Sequence, residues 1–160
     1  MSSKIENNET IVIREMKISD IDRIFELEME IFSDPWGRDA FVEQIEGENW
    51  GGFVAESQSE IIGYACYYIA YVEAHLTNIA VVEKFRRKSV AKLLLDNILQ
   101  IVEKFQCEYL LLEVRPSNVS AISFYERHDF KLLYRRPNYY HSPVEDALVM
   151  VRYFENNGDM

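Results

Sequence analysis

The feature that most restricts the fold of this sequence is a strand that leads through a basic turn into an amphipathic helix. Residues 75–82 have the pattern of a short apolar strand, and residues 87–105 have apolar side chains at helical spacing. The turn between them, residues 85–91, is basic and rich in small residues. Because a helix N-terminus has unpaired N–H groups and a positive dipole end, this arrangement predicts an anion site that suits phosphate.

The overall charge makes this basic turn unusual. The chain has 160 residues, with 17 Lys and Arg against 27 Asp and Glu, and a formal charge of -10. The densest cationic cluster comprises Lys84, Arg86, Arg87, Lys88 and Lys92. The acidic balance elsewhere argues against nucleic-acid binding, which needs basic faces, and would attract a basic peptide.

Length and composition predict one soluble domain. A chain of this size buries roughly 70% of its unfolded surface, so it can fold without disulfides or a structural metal. We expect the domain to cover residues 10–154, with frayed tails at 1–9 and 155–160. The longest apolar run, 61–72, is too short to cross a bilayer, and the polar N-terminus is not a signal peptide.

The two cysteines indicate a reducing compartment. Cys66 lies in an apolar run and Cys107 follows a helix, and they lack metal or redox spacing. We therefore expect two buried thiols in a cytoplasmic protein.

The order of elements predicts an α/β fold with a mixed sheet. Strands are expected at 10–14, 53–56, 61–72, 75–82, 109–114, 130–135 and 147–153. Helices are expected at 19–32, 38–46, 87–105 and 118–128. Ser19 and Asn118 are the expected caps of the first and last helices.

Glu113 is the ionisable side chain in the apolar run 110–114. A carboxylate in such a strand can act as a general base, directly or through a water. The alternative is a carboxylate at the strand end that is hydrogen-bonded or paired with Arg115. Residue types alone favour neither.

Five aromatic side chains could have functional roles. Tyr125 lies on the helix after Glu113, and a phenol, whose ordinary pKa is about 10, can donate a proton to a leaving thiolate. Residue type alone favours a packing role for it. Phe32, Trp36, Tyr139 and Tyr140 could line a slot for a peptide or belong to the core, and we expect the slot.

Other classes of site have no support in the sequence. The spacing of His75, His128 and His141 does not indicate a metal site, so none is expected, and no Ser/His/Asp arrangement indicates a hydrolase. The basic turn lacks both the Gly-Lys-Ser/Thr of a P-loop and the glycines of a Rossmann fingerprint.

Six short motifs together resemble the GNAT acetyltransferase superfamily, and within it the ribosomal-protein-alanine N-terminal acetyltransferases of the RimI type. They are residues 32–36 (FSDPW), 76–81 (LTNIAV), 86–91 (RRKSVA), 112–118 (LEVRPSN), 121–126 (AISFYE) and 135–140 (RRPNYY). The resemblance covers roughly residues 11–151 and depends on the common order and spacing of the motifs. It implies a single domain of the α+β type, with a mostly antiparallel sheet of about seven strands and about four helices.

The resemblance also implies acetyl-CoA as the donor. Backbone groups of residues 79–81 would contact the pantetheine and thioester, and Asn118 would approach the pantetheine arm. The residues implied in cofactor binding are Ile79, Ala80, Val81, Arg87, Lys88, Ser89, Val90, Ala91, Lys92 and Asn118. Glu113 would be the general base, and Tyr125 the acid that protonates the CoA thiolate.

Two positions depart from the family pattern. Ser89 replaces the first glycine of the turn, where it adds bulk near the phosphate but also a hydroxyl that could donate to it. Asp129 replaces a glycine that usually ends the helix before Phe130. Aspartate tolerates the left-handed conformation of a helix end, although less well than glycine.

We therefore expect direct transfer of acetyl to the N-terminal α-amino group of a protein, with the peptide between Phe32, Trp36, Tyr139 and Tyr140. A rival within the fold acetylates a lysine, a polyamine or another small amine. A rival of another class is a catalytically silent module that binds acyl-CoA. The sequence does not indicate the oligomeric state.

Overall fold

The computed structural model describes residues 10–155, and a seven-stranded sheet forms their centre. The strands are β1 (Ile11–Glu15), β2 (Trp50–Ser57), β3 (Glu60–Ala70), β4 (Glu73–Val81), β5 (Tyr109–Val114), β6 (Lys131–His141) and β7 (Val144–Tyr153). Their order is β1-β2-β3-β4-β5-β7-β6, and all neighbours are antiparallel except β4 and β5. The expected mixed, mostly antiparallel sheet is confirmed. The tails expected at 1–9 and 155–160 lie outside the described residues, except for Glu155.

Helices pack on both faces of the sheet. They are α1 (Ile21–Ile31), α2 (Arg38–Glu46), α3 (Val90–Lys104) and α4 (Val119–Arg127). On one face, Ile24 of α1 and Phe41 of α2 pack in a cluster with Tyr64 of β3. On the other face, Leu94 of α3 and Tyr125 of α4 belong to the larger cluster. None of the helices within residues 10–155 is long and apolar enough to span a bilayer.

A glycine in β3 lets α3 approach the sheet closely. A Cβ atom on Gly63 would lie 2.9 Å from the carbonyl oxygen of Ala80 and 3.3 Å from Cγ1 of Val90. Any larger residue would therefore push the first turn of α3 away from the strands. The N-terminus of α3 is thus held next to the end of β4.

Helix α3 begins at Val90, three residues later than expected. Arg87 and Ser89 have φ angles of 64° and 65°, in the left-handed region that does not continue a helix. The left-handed conformation expected at Asp129 is confirmed by its φ of 68°.

Asp20 is hydrogen-bonded at the short turn Ile18–Asp20 that precedes α1, and the cap expected at Ser19 is wrong. The Asp20 carboxylate accepts a hydrogen bond from the backbone N–H of Lys17 at 2.7 Å and two from Arg14 at 2.8 Å. Arg14 also contacts Glu56 of β2 at 2.7 Å. The Asp20 side chain is only 7% exposed, and the hydrogen bonds from Arg14 lower its pKa.

We expect Arg14→Met to lower the free energy of unfolding by about 3 kcal/mol near neutral pH, because it leaves the buried Asp20 carboxylate without its partner. Pairing lowers the folded-state pKa of Asp20 below its unfolded-state value. Its contribution is therefore present above the unfolded-state pKa and is lost as the pH falls through the folded-state pKa. Urea denaturation at neutral and acidic pH should show the difference between the two proteins shrinking in acid.

Arg23→Met is the matched control. Arg23 pairs with Glu26 on the surface of α1, where the two side chains are 49% and 63% exposed. Its loss should change the free energy of unfolding by less than about 0.5 kcal/mol. Equal losses in the two variants would contradict the role given to Arg14.

Candidate active site

A cavity of about 1100 Å³ opens where β4 and β5 diverge. The two strands are paired over only three residues each, ending at His75 and Leu111. Beyond this point β3 still pairs with one edge of β4 as far as Val81. The other edge has no strand partner within residues 10–155. Residues 79–81 line the cavity, so backbone groups on this edge can bind a ligand there, although the carbonyl oxygen of Val81 already accepts a hydrogen bond from Nε of Arg86 at 3.1 Å.

The N-terminus of α3 lies at this cavity with free backbone donors. The first hydrogen bond of the helix runs from the N–H of Leu93 to the carbonyl oxygen of Ser89, at 3.0 Å. The N–H groups of Val90, Ala91 and Lys92 therefore have no acceptor within the helix, and no side chain caps this end. Together with the positive end of the helix dipole, they form a site for an anion.

The cations expected around this site are not equivalent. Arg87 and Lys92 line the cavity, but Lys88 does not. The Lys88 ammonium lies 5.3 Å from the centroid of the Phe85 ring, and Lys92 is paired with Asp96 at 2.8 Å. Arg86 also lines the cavity, but its Nε donates to the carbonyl oxygen of Val81 at 3.1 Å. Arg87 is therefore the cation best placed to meet a bound anion.

Helix α4 supplies the opposite wall. Asn118 caps it as expected, accepting a hydrogen bond from the N–H of Ala121 at 3.2 Å. Tyr125 lines the cavity and is only 6% exposed, with its ring centroid 5.4 Å from that of Phe124 and 5.6 Å from that of Phe130. Burial raises the pKa of Tyr125, so its hydroxyl stays protonated at neutral pH.

Glu113 also lines the cavity, where it contacts a histidine from the neighbouring strand. Its carboxylate lies 2.6 Å from Nε2 of His75 and 3.7 Å from the guanidinium of Arg136. The Glu113 side chain is 13% exposed. Of the alternative, the hydrogen-bonded carboxylate is found, with His75 as its partner, whereas the pairing with Arg115 is wrong because Arg115 pairs with Glu145 at 3.1 Å.

The contact between His75 and Glu113 is a consequence of strand register. His75 lies opposite Leu111 in the parallel pair, so its side chain and that of Glu113, two residues further along β5, are on one face. A helix separates the two strands in sequence, so no short turn fixes which residues pair. The residue pattern of either strand alone therefore does not predict this register. His75 was therefore missed as a partner of Glu113.

The four aromatic residues expected in a slot lie around two adjoining spaces. Phe32, Trp36 and Tyr140 line the large cavity, while Trp36 and Tyr139 line a pocket of about 380 Å³ next to it. Glu113 lines both spaces. Burial raises the pKa of Tyr140 to about 12. The four aromatic residues therefore line the same two spaces as Glu113.

The two segments that carry these aromatic residues are hydrogen-bonded to each other. The hydroxyl of Ser33, after α1, donates to the carbonyl oxygen of Ser142 at 2.7 Å, and the N–H of His141 donates to Asp34 at 3.4 Å. Arg115 also donates to the Ser142 carbonyl, at 3.3 Å. These bonds hold the α1–α2 loop against the β6–β7 hairpin.

A buried carboxylate of α1, Glu28, was also missed. It lines the large cavity, is 1% exposed and accepts hydrogen bonds from Nδ2 of Asn78 at 2.8 and 2.9 Å. Burial raises the pKa of Glu28 even though Asn78 and the Tyr64 hydroxyl are bonded to it. Its position on the apolar face of α1, beside Ile24 and Leu27, is the signal that could have revealed it.

Comparisons with known proteins agree with this geometry. The model of the acetyltransferase (GNAT) family matches residues 21–130. A putative ribosomal protein bS18-alanine N-acetyltransferase from Bacillus subtilis (strain 168) is 31% identical over 139 residues, covering 86% of this chain and 92% of that protein. The ribosomal protein bS18-alanine N-acetyltransferase of Escherichia coli (strain K12) is 30% identical over 140 residues, covering 86% and 94%. The crystal structure of the ribosomal-protein-S18-alanine N-acetyltransferase from Escherichia coli superposes with a TM-score of 0.85 at 27% identity, covering 94% of this chain and 99% of that one.

Proposed function

The chain belongs to the acetyltransferase (GNAT) family, and we propose that it transfers the acetyl group of acetyl-CoA to the N-terminal α-amino group of a protein. The observation that carries this proposal is the cavity between β4 and β5, which is lined both by the anion site of α3 and by Glu113. The names of the relatives support a ribosomal protein as the acceptor. A cytoplasmic location is proposed with it, supported by the free, buried thiols of Cys66 and Cys107.

The donor side of the cavity fits acetyl-CoA. The N-terminus of α3 and Arg87 suit the negatively charged pyrophosphate. The free edge of residues 79–81 suits the amides of the pantetheine arm, because an extended ligand can pair with this edge as a strand would. A volume of about 1100 Å³ also suits a ligand of this size.

We expect Arg87→Glu to raise the Kd for CoA at least tenfold, roughly the scale of one lost charge-assisted hydrogen bond. The change replaces attraction with repulsion at the phosphate site, and calorimetric titration with CoA measures it. Lys88→Glu is the matched control, since it changes the net charge by the same amount and Lys88 does not line the cavity. A larger loss of CoA affinity in Lys88→Glu, or in any single change at Tyr139 or Tyr140, would refute the placement of the pyrophosphate.

Glu113 is the proposed general base. Its carboxylate accepts the proton of the acceptor ammonium, directly or through a water, while His75 holds it in position. The neutral amine then attacks the thioester carbonyl carbon, whose oxygen is polarised by backbone donors of residues 79–81. The C–N bond forms as the C–S bond breaks, with both substrates bound together so that proximity contributes to the rate.

Tyr125 is the proposed general acid. Its raised pKa keeps the hydroxyl protonated until the CoA thiolate departs, and the thiolate then takes the proton. The attacking nitrogen loses its second proton as the amide forms, and this proton restores the Tyr125 phenol, directly or through water. Asn118, at the start of the same helix, is proposed to contact the pantetheine arm.

An α-amino group is the acceptor best matched to this site. With a pKa near 8 it is about one-tenth neutral at neutral pH, whereas a lysine, with a pKa of about 10.4, is neutral at less than one part in a thousand. A single carboxylate base therefore activates a chain end more readily than a lysine. The hydrogen bonds between the α1–α2 loop and the β6–β7 hairpin hold together the two segments that carry the aromatic residues proposed to bind the peptide.

A panel of acceptors tests the proposal. Peptides with free N-termini, lysine peptides with blocked N-termini and polyamines are each incubated with acetyl-CoA, and CoA release is measured. We expect the highest kcat/KM with free N-termini. A preference for polyamines or blocked lysine peptides would favour the small-amine alternative, and CoA binding without turnover would favour the silent module.

A further inference from the structure

The acetyl transfer proposed above gives the smaller pocket beside Glu113 no ligand of its own. It has a volume of about 380 Å³ and shares Trp36, Thr77 and Glu113 with the large cavity. It therefore begins at the reacting groups and extends along α2 towards the start of β2. Its size suits a long side chain of the acceptor, close to the amine that reacts.

Three aromatic side chains line this pocket: Trp36, Trp50 and Tyr139. Trp50 and Tyr139 are 39% and 37% exposed, although large aromatic side chains are usually covered. The faces of indole and phenol rings attract cations. The guanidinium of Arg136 already lies 4.6 Å from the centroid of the Tyr139 ring, which leaves the indole rings of Trp36 and Trp50 for a further cation. The lining therefore favours a positively charged ligand that also has an apolar stem.

Glu43 of α2 adds an unpaired negative charge to the lining. Its side chain is exposed, and it has no hydrogen-bond or ion-pair partner in the part of the chain that the structure describes. The neighbouring polar groups are occupied, since Gln44 accepts a hydrogen bond from Thr77 at 3.0 Å and Glu113 contacts His75. A free carboxylate beside aromatic rings matches the chemistry of an ammonium or guanidinium group.

We propose that the cation pocket, defined by Trp36, Glu43, Trp50 and Tyr139, binds a Lys or Arg side chain within the first three residues of the acceptor. This inference rests on the proposed function and makes the protein selective for basic N-termini. The formal charge of -10 adds a long-range attraction for such acceptors, which can be separated from the pocket by experiment.

Matched peptides that differ only in Arg, Ala or Glu at positions two and three provide the test. We expect wild-type kcat/KM to be about tenfold higher for an Arg peptide than for its Glu counterpart, consistent with a cation–π contact and a partly exposed ion pair. Glu43→Lys should reduce this ratio to about twofold or less, mainly through KM. Calorimetric titration with CoA shows that the variant remains folded.

The Glu46→Lys variant distinguishes the effect of the pocket on peptide preference from the long-range effect of net charge. Glu46 is exposed on the same helix, changes the net charge by the same amount and does not line the pocket. We expect it to keep the wild-type ratio. Equal ratios in the two lysine variants, or acetylation of all peptides without charge preference, would overturn the cation pocket while leaving the proposed function intact. Absence of acetylation with every peptide would overturn both.

Discussion

Replacing Glu113 with glutamine is expected to lower kcat/KM for peptide acetylation about 100-fold to 1,000-fold, the range of a lost general base. Glutamine keeps the shape of the side chain and its contact with His75, but it cannot accept the proton of the acceptor ammonium. Steady-state kinetics with a peptide that has a free N-terminus measures the loss. The Kd for CoA should change by less than about twofold, because the pyrophosphate site is formed by other residues.

Glu126→Gln is the control for charge removal. Glu126 is exposed on α4, next to Tyr125 in sequence, and does not line the cavity. This variant should retain wild-type kcat/KM. Normal turnover in Glu113→Gln would rule out Glu113 as the base, and Glu28, a buried carboxylate that also lines the cavity, would then be the next candidate.

Replacing Tyr125 with phenylalanine is expected to lower kcat about 10-fold to 100-fold, or roughly 1.4 to 2.7 kcal/mol of transition-state stabilisation. The ring contacts with Phe124 and Phe130 are kept, so the core of the fold should be undisturbed. Only the hydroxyl that would protonate the CoA thiolate is removed. Titration with CoA should give an affinity within about twofold of wild type.

Tyr153→Phe tests whether loss of any phenol has this effect. Tyr153 is 55% exposed at the end of β7 and does not line the cavity. Its variant should have normal kcat. If the Tyr125→Phe variant also had normal kcat, Tyr125 would not be the general acid and would have only a packing role.

Sequence patterns that lie within a single helix or strand were enough to predict most of the fold. The helix expected at 38–46 and the strand expected at 109–114 have the same bounds in the structure. Both segments have a clear apolar periodicity and end at residues that break it, such as Gly37 before α2. The Asn118 cap is likewise a local feature, because its side chain reaches a backbone group three residues later.

What sequence patterns could not predict depends on contacts between distant segments or on rare backbone conformations. The pairing of Glu113 with His75 depends on the register of β4 and β5. The late start of α3 depends on the left-handed conformation of Arg87 and Ser89, which residues other than glycine seldom adopt. The φ of 65° at Ser89 gives a backbone reason for the glycine that the family pattern resembled by the sequence has at this position.

The measurement that tests the central claim most directly is the position of the acetyl group on a peptide that has both a free N-terminus and an internal lysine. The protein is incubated with acetyl-CoA and this peptide, and tandem mass spectrometry locates the product. We predict acetylation of the α-amino group, with the lysine unmodified until the N-terminus is consumed. Acetyl on the lysine alone, or no acetylated product although CoA binds, would contradict N-terminal acetyl transfer.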